Sequence, residues 1–187
     1  MGTNHEPADK DRRSSGSHDH RSSECYNVVS ELKSADLILV RGTGLISKAI
    51  EDVEQSPYSH TAGYVGESQL IEANGFQTIG FIGLSAYIGT SDVYICDSLT
   101  NQQRQAILKA AMNKVGGHYD YVLLAWEFFR YEIHRILPYR EGKNVRICST
   151  LWSDAYREAG IDLCPGIKFP SPGDLANSKL LRKVGSL

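Results

Sequence analysis

Apolar positions are nearly absent from residues 1–24, a stretch of Ser, His, Asp, Arg and Gly, and then arrive in short blocks separated by turns. The opening stretch cannot bury enough apolar surface to offset its ordering entropy, so it reads as a disordered tail ahead of one domain over 25–187. The first block, Asp36-Leu37-Ile38-Leu39-Val40, is unbroken and short, the pattern of a buried strand. Arg41-Gly42-Thr43-Gly44 turns the chain, and Ile46, Ala49, Ile50 and Val53 carry a helix that stops before Pro57. Ser59 to Gly66 and Gln69 to Ala73 read as two strands of a hairpin joined at Glu67-Ser68. Asp92 to Cys96 is a further strand. A Thr100-x-x-Gln103 capping box opens a helix through Ile107, Ala110, Ala111 and Val115, closed by Gly116-Gly117. Tyr121 to Leu137 is amphipathic, with Glu127, Arg130, Glu132 and Arg135 interrupting its aromatic and aliphatic residues. After Cys148, Leu151, Trp152, Ala155, Tyr156 and Ala159 keep helical period, and Gly160 ends the run. Pro170-Ser171-Pro172-Gly173 marks a loop, and Asp174-Leu175-Ala176 a short final element. A strand, a helix, antiparallel strands and then helices predict an α+β layer fold.

Composition narrows the function classes. The 187 residues are 41% hydrophobic and 22% charged, which suits one domain with an ordinary core. A formal net charge of −2 gives no general attraction to nucleic acid. From Arg130 to Arg146 five basic residues face two acidic ones, the composition of a solvated face. No run of about 20 uncharged apolar residues occurs, so no membrane-spanning helix is expected. Met1 to Glu6 opens polar, with no secretory apolar core, so the expected location is cytoplasmic. The four cysteines, at 25, 96, 148 and 164, are too scattered for a zinc motif, and a chain of this length does not need disulfides. His18 and His20 sit in the tail, where two histidines without a fold make a poor metal site.

Cys148 stands apart from the other cysteines because it falls in the first turn of its helix. Unsatisfied backbone N–H groups and the positive end of the helix dipole surround its sulfur, and both favour thiolate, the nucleophilic form. Cys96 lies within an apolar strand, Cys164 precedes Pro165 in a loop, and Cys25 adjoins the tail. A nucleophilic cysteine needs a base and a group that orients the base. Of six histidines three lie in the tail, His118 follows a glycine pair, and His134 is on the charged side of the 121–137 helix. His60, at the start of a strand, reads from position alone either as a core histidine or as a base aimed across a cleft. Glu72 tips this toward the base. It lies twelve residues on, in the returning strand, where the two can face each other across the hairpin if the register allows. A glutamate in the context Leu-Ile-Glu-Ala needs a partner when buried, and an imidazolium is a suitable one.

Taken in order, the segments Ala35 to Gly42, Ser56 to His60, Leu70 to Ala73, Gly117-His118-Tyr119-Asp120, Cys148-Ser149 and Pro172 to Leu175 resemble the circularly permuted NlpC-type papain-like cysteine hydrolases of the YaeF/YiiX group. The resemblance implies a permuted papain-like fold with an antiparallel sheet against helices, His60 as base, Glu72 as third member and Cys148 as nucleophile. It implies hydrolysis or transfer at an amide or ester carbonyl through a thioester, and no metal or organic cofactor. Tyr119 and Tyr58 are the expected substrate-side residues. The expected substrate is a peptidoglycan-type peptide or an amino-acid amide, reached inside the cell or after delivery by a phage or secretion device. The alternative is a lipid acyltransferase or phospholipase of the lecithin:retinol acyltransferase-like branch, which would bring the 121–137 helix to a membrane surface. Nucleic acid is not an expected partner.

Overall fold

A computed structural model describes residues 27–42, 56–73, 78–119, 145–146 and 148–187, with the backbone alone described at 118–119 and 145–146. The expected tail, Cys25, the turn at 43–44, the helix through Ile46 and Val53, the 121–137 helix with His134, most of the basic segment, and the side chains of His118 and Tyr119 lie outside the described residues. Six strands form one antiparallel sheet: β1 (Leu37–Arg41), β2 (Tyr58–Gly66), β3 (Gln69–Ala73), β4 (Ile79–Gly83), β5 (Ser91–Ile95) and β8 (Arg182–Ser186), in the order β4-β3-β2-β1-β5-β8. A two-residue parallel pair, β6 (His118–Tyr119) and β7 (Val145–Arg146), stands beside it. Among the described residues the helices include α1 (Asn101–Met112), α2 (Cys148–Glu158) and α3 (Pro172–Ala176). Among the described residues, no helix is long and apolar enough to cross a membrane.

The unbroken apolar run of β1 has a physical reason. As an inner strand it is buried on both faces: Leu37 and Leu39 enter the core that contains α1 and α2, while Ile38 and Val40 enter a second core on the other face. The β2–β3 hairpin turns at Glu67 and Ser68, both at positive φ (52° and 57°), the backbone that a two-residue hairpin loop demands. α1 opens with the expected capping box but ends at Met112, with turns carrying the chain to Gly116, so it is shorter than the apolar period suggested. A second capping box, Ser171 with Asp174, starts α3.

Two strands of the six-stranded sheet were not visible in the sequence pattern. β4 carries two glycines in five residues, and β8, Arg-Lys-Val-Gly-Ser, has one apolar side chain. β8 is instead held by charge. Asp92 on β5, 1% exposed, accepts from Lys183 Nζ (2.8 Å) and Ser186 Oγ (2.6 Å) on β8, from Arg41 (2.7 Å) and from the Tyr58 hydroxyl (2.5 Å). Burial alone would raise the pKa of this carboxyl, but the donors from Lys183, Ser186, Tyr58 and Arg41 outweigh it and hold the pKa well below the usual range.

α2 packs on β2 and β3 through Trp152, which is fully buried. The indole lies where a side chain at Gly63 would project, so β2 needs glycine at that position. Gly63→Ala is expected to destabilise the protein by about 1–3 kcal/mol in urea unfolding, because a methyl group there overpacks the Trp152 contact. An unchanged midpoint would mean that this contact does not hold α2 against the sheet.

Candidate active site

The register of the hairpin decides whether His60 and Glu72 can meet. Glu72 pairs with Ala62, which shares a face of β2 with His60, so the two are diagonal neighbours rather than direct partners. The side chains close the gap: His60 Nε2 lies 2.9 Å from Glu72 Oε2. An ionised carboxylate only accepts, so Nε2 carries the proton in this contact and Nδ1 is left for another partner. Glu72 is buried, as expected for a paired carboxylate.

Cys148 is the first residue of α2 and is 5% exposed. Three side chains fasten the helix: Ser149 Oγ donates to the carbonyl of Pro170 (2.5 Å), Trp152 Nε1 to that of Ile71 (3.1 Å), and the Tyr156 hydroxyl to that of Ala35 (2.6 Å). Ile71 is the residue before Glu72, so the Trp152 bond ties the cysteine helix to the strand that carries the carboxylate. Cys148 lies close enough to the His60 ring to act on its charge. The structure therefore joins His60 of β2 to Glu72 of β3 by a hydrogen bond, and starts α2 at Cys148, whose sulfur acts on the ring's charge.

The electrostatics follow from that convergence. Burial by itself would lower the His60 pKa, but the charge and hydrogen bond of Cys148, and then those of Glu72, outweigh it and push it up to about 10. His60, with its side chain 20% exposed, is the member of the three most open to solvent. Such an arrangement can hold a proton on the ring beside a sulfur at neutral pH, the condition for nucleophilic attack followed by proton return.

Sequence reasoning missed Tyr87. Its hydroxyl donates a very short hydrogen bond to Glu72 Oε2, the oxygen that also meets His60, and its ring lies 5.9 Å from the imidazole. No periodicity or spacing marks it, because it ends a short 3-10 turn (Leu84–Tyr87) and acts across the sheet. Tyr58, expected on the substrate side, is placed differently. It is buried, and its hydroxyl donates to Asp92 and accepts from Tyr94 (3.1 Å), so the structure gives it a packing and bracing role. Cys96 is buried in the core, and Cys164 is also buried. Burial and the nearby acids Asp174 and Asp162 push the Cys164 thiol up to about 11, away from reactivity.

No protein-family model matches the chain, and no curated protein matches its sequence. Among solved structures it is similar to the metalloprotein yiiX from Escherichia coli O157:H7, DUF1105, with a TM-score of 0.65 and 18% identity. The match covers 83% of this chain and 97% of that one. The chain has the yiiX fold. At this level of identity the likeness to yiiX speaks to the fold alone.

Replacing Glu72 by Gln keeps the shape but removes the charge that stabilises the imidazolium. The pH at which the neutral plateau of Cys148 alkylation by iodoacetamide ends is expected to fall by about one unit or more, because the imidazolium loses the carboxylate that favours it. An unmoved alkaline end would show that Glu72 does not hold the proton on His60.

Proposed function

We propose that this protein is a cysteine hydrolase of the circularly permuted NlpC-type, papain-like kind, acting on amide bonds of small peptides or amino-acid amides. The observation that carries the reading is the hydrogen bond from His60 Nε2 to Glu72 at 2.9 Å, with Cys148 at the start of α2 close enough to act on the ring's charge. The order histidine, glutamate, cysteine along the chain is that of the permuted layout, and the yiiX fold supports it at the level of architecture.

In this reading the Cys148 thiolate attacks the scissile carbonyl carbon, and the carbonyl π electrons move to oxygen. The backbone N–H of Cys148, which has no helical acceptor in the first turn, donates to that oxyanion. His60 gives its Nδ1 proton to the departing amine as the C–N bond breaks, leaving a thioester on Cys148. Water then attacks the thioester while His60 takes its proton, and the C–S bond breaks to return the thiolate and imidazolium. Glu72 stays ionised and keeps the ring in the tautomer that serves both half-reactions.

The printed description of yiiX as a metalloprotein raises the question of a metal here. The donor set does not fit one: among the described residues no group of three or more His, Cys, Asp or Glu side chains could hold an ion, and the Nε2 of His60 is engaged by Glu72.

Covalent trapping tests the proposal. Wild type and Cys148→Ala are incubated with muropeptide-type peptides, amino-acid amides and acyl lipids, and intact mass is recorded. An acyl adduct on the wild type from an amide substrate, absent from Cys148→Ala, is the expected result. Turnover that persists in Cys148→Ala overturns the proposal. An adduct formed only from acyl lipids assigns the site to the lecithin:retinol acyltransferase-like branch instead.

A further inference from the structure

We propose that Tyr87 is a positioning residue of this site, its hydroxyl holding Glu72 Oε2 against His60 Nε2 from the far side of the carboxylate. This rests on the cysteine-hydrolase reading and deepens it by adding a fourth side chain. The first ground is geometric. Tyr87 and His60 reach the same oxygen from different elements, the 3-10 turn after β4 and strand β2. A glutamate can rotate about its terminal bond, and one donor leaves that rotation open. Two donors converging on one oxygen fix it.

The second ground is how firmly Tyr87 is itself held. Its carbonyl accepts from the Thr90 amide (3.2 Å), the Thr90 hydroxyl (3.2 Å) and the Ser91 hydroxyl (2.8 Å), so three donors pin the backbone that carries the ring. The ring packs against the core on the His60 face of the sheet and lies tilted 44° to the imidazole. The third ground is its protonation. Burial first, and then the hydrogen bond and charge of Glu72, push its pKa far above that of a free phenol, so it remains a donor throughout the neutral range. Among the described residues His60 reaches Glu72 from β2 and Tyr87 from the turn, and the charge of Cys148 on α2 acts on both the imidazole and the phenol.

A tyrosine that only filled space would keep its packing as phenylalanine. The rate of Cys148 alkylation by iodoacetamide is therefore followed from acid to alkaline pH in wild type, Tyr87→Phe, Glu72→Gln and the double variant, each corrected for its folded fraction. Wild type is expected to show a neutral plateau that ends where the imidazolium loses its proton. Tyr87→Phe is expected to move that alkaline end down by about one pH unit, the scale of one lost charge-assisted contact. In the Glu72→Gln background the same change is expected to move nothing further, because Tyr87 acts through the carboxylate. A Tyr87→Phe plateau ending where the wild type ends, or ending higher, overturns the inference while leaving the hydrolase reading intact. A wild type without any plateau overturns both. The 13Cζ resonance of Tyr87 supplies a readout that needs no Tyr87 variant. It is expected to shift on Glu72→Gln, and an unmoved resonance contradicts the contact.

Discussion

The site depends on one hydrogen bond inside the sheet, between Glu72 on β3 and Nε2 of His60 on β2. A buried carboxylate without a donor would be costly, and a buried imidazole would lose its charge. Joined, each supplies what the other lacks. The bond also assigns the Nε2 proton and leaves Nδ1 for a second partner, which in the proposed reaction is the sulfur of Cys148. Everything else at the site serves this contact: the diagonal register of the hairpin, the tyrosine on the second side of Oε2, and the helix that delivers Cys148.

The surrounding fold makes that geometry stiff. The cysteine helix is fastened by hydrogen bonds from Ser149, Trp152 and Tyr156 to three separate backbone segments, one of them directly beside Glu72. Gly63 lets the indole of Trp152 lie flush against β2. On the other side of β1, Asp92 gathers Arg41, Tyr58, Lys183 and Ser186 and so closes the sheet with a strand that has little apolar surface of its own. Asp36 does similar work for α1, accepting from Arg104 at 2.7 Å. The buried charges here are bound by several donors each, the condition under which burial of a charge is tolerable.

What the sequence revealed, and what it hid, follows from which signals are local. The β2–β3 hairpin, the Thr100 capping box and the helix behind Cys148 are written in periodicity and turn chemistry, and the structure contains all three. The approach of His60 to Glu72 was legible because both lie on one hairpin, although the diagonal register was not. β4 and β8 were hidden because glycine and charge dilute their apolar pattern, and β8 is held by pairing with β5 and by Asp92 rather than by hydrophobic alternation. Tyr87 and Tyr58 show the limit most plainly. Nothing near either residue in the chain distinguishes the tyrosine that touches the site carboxylate from the one that braces Asp92. The difference is created by the sheet.

The most direct test is the charge on the His60 ring itself. Imidazole 15N shifts, measured on selectively labelled protein at pH 8, distinguish imidazolium from either neutral tautomer. If Cys148 and Glu72 together hold the proton, wild-type His60 is doubly protonated at that pH, and in Cys148→Ala it is neutral with its proton on Nε2. A wild-type ring already neutral at pH 8, or one whose state ignores the loss of the sulfur, would contradict the account.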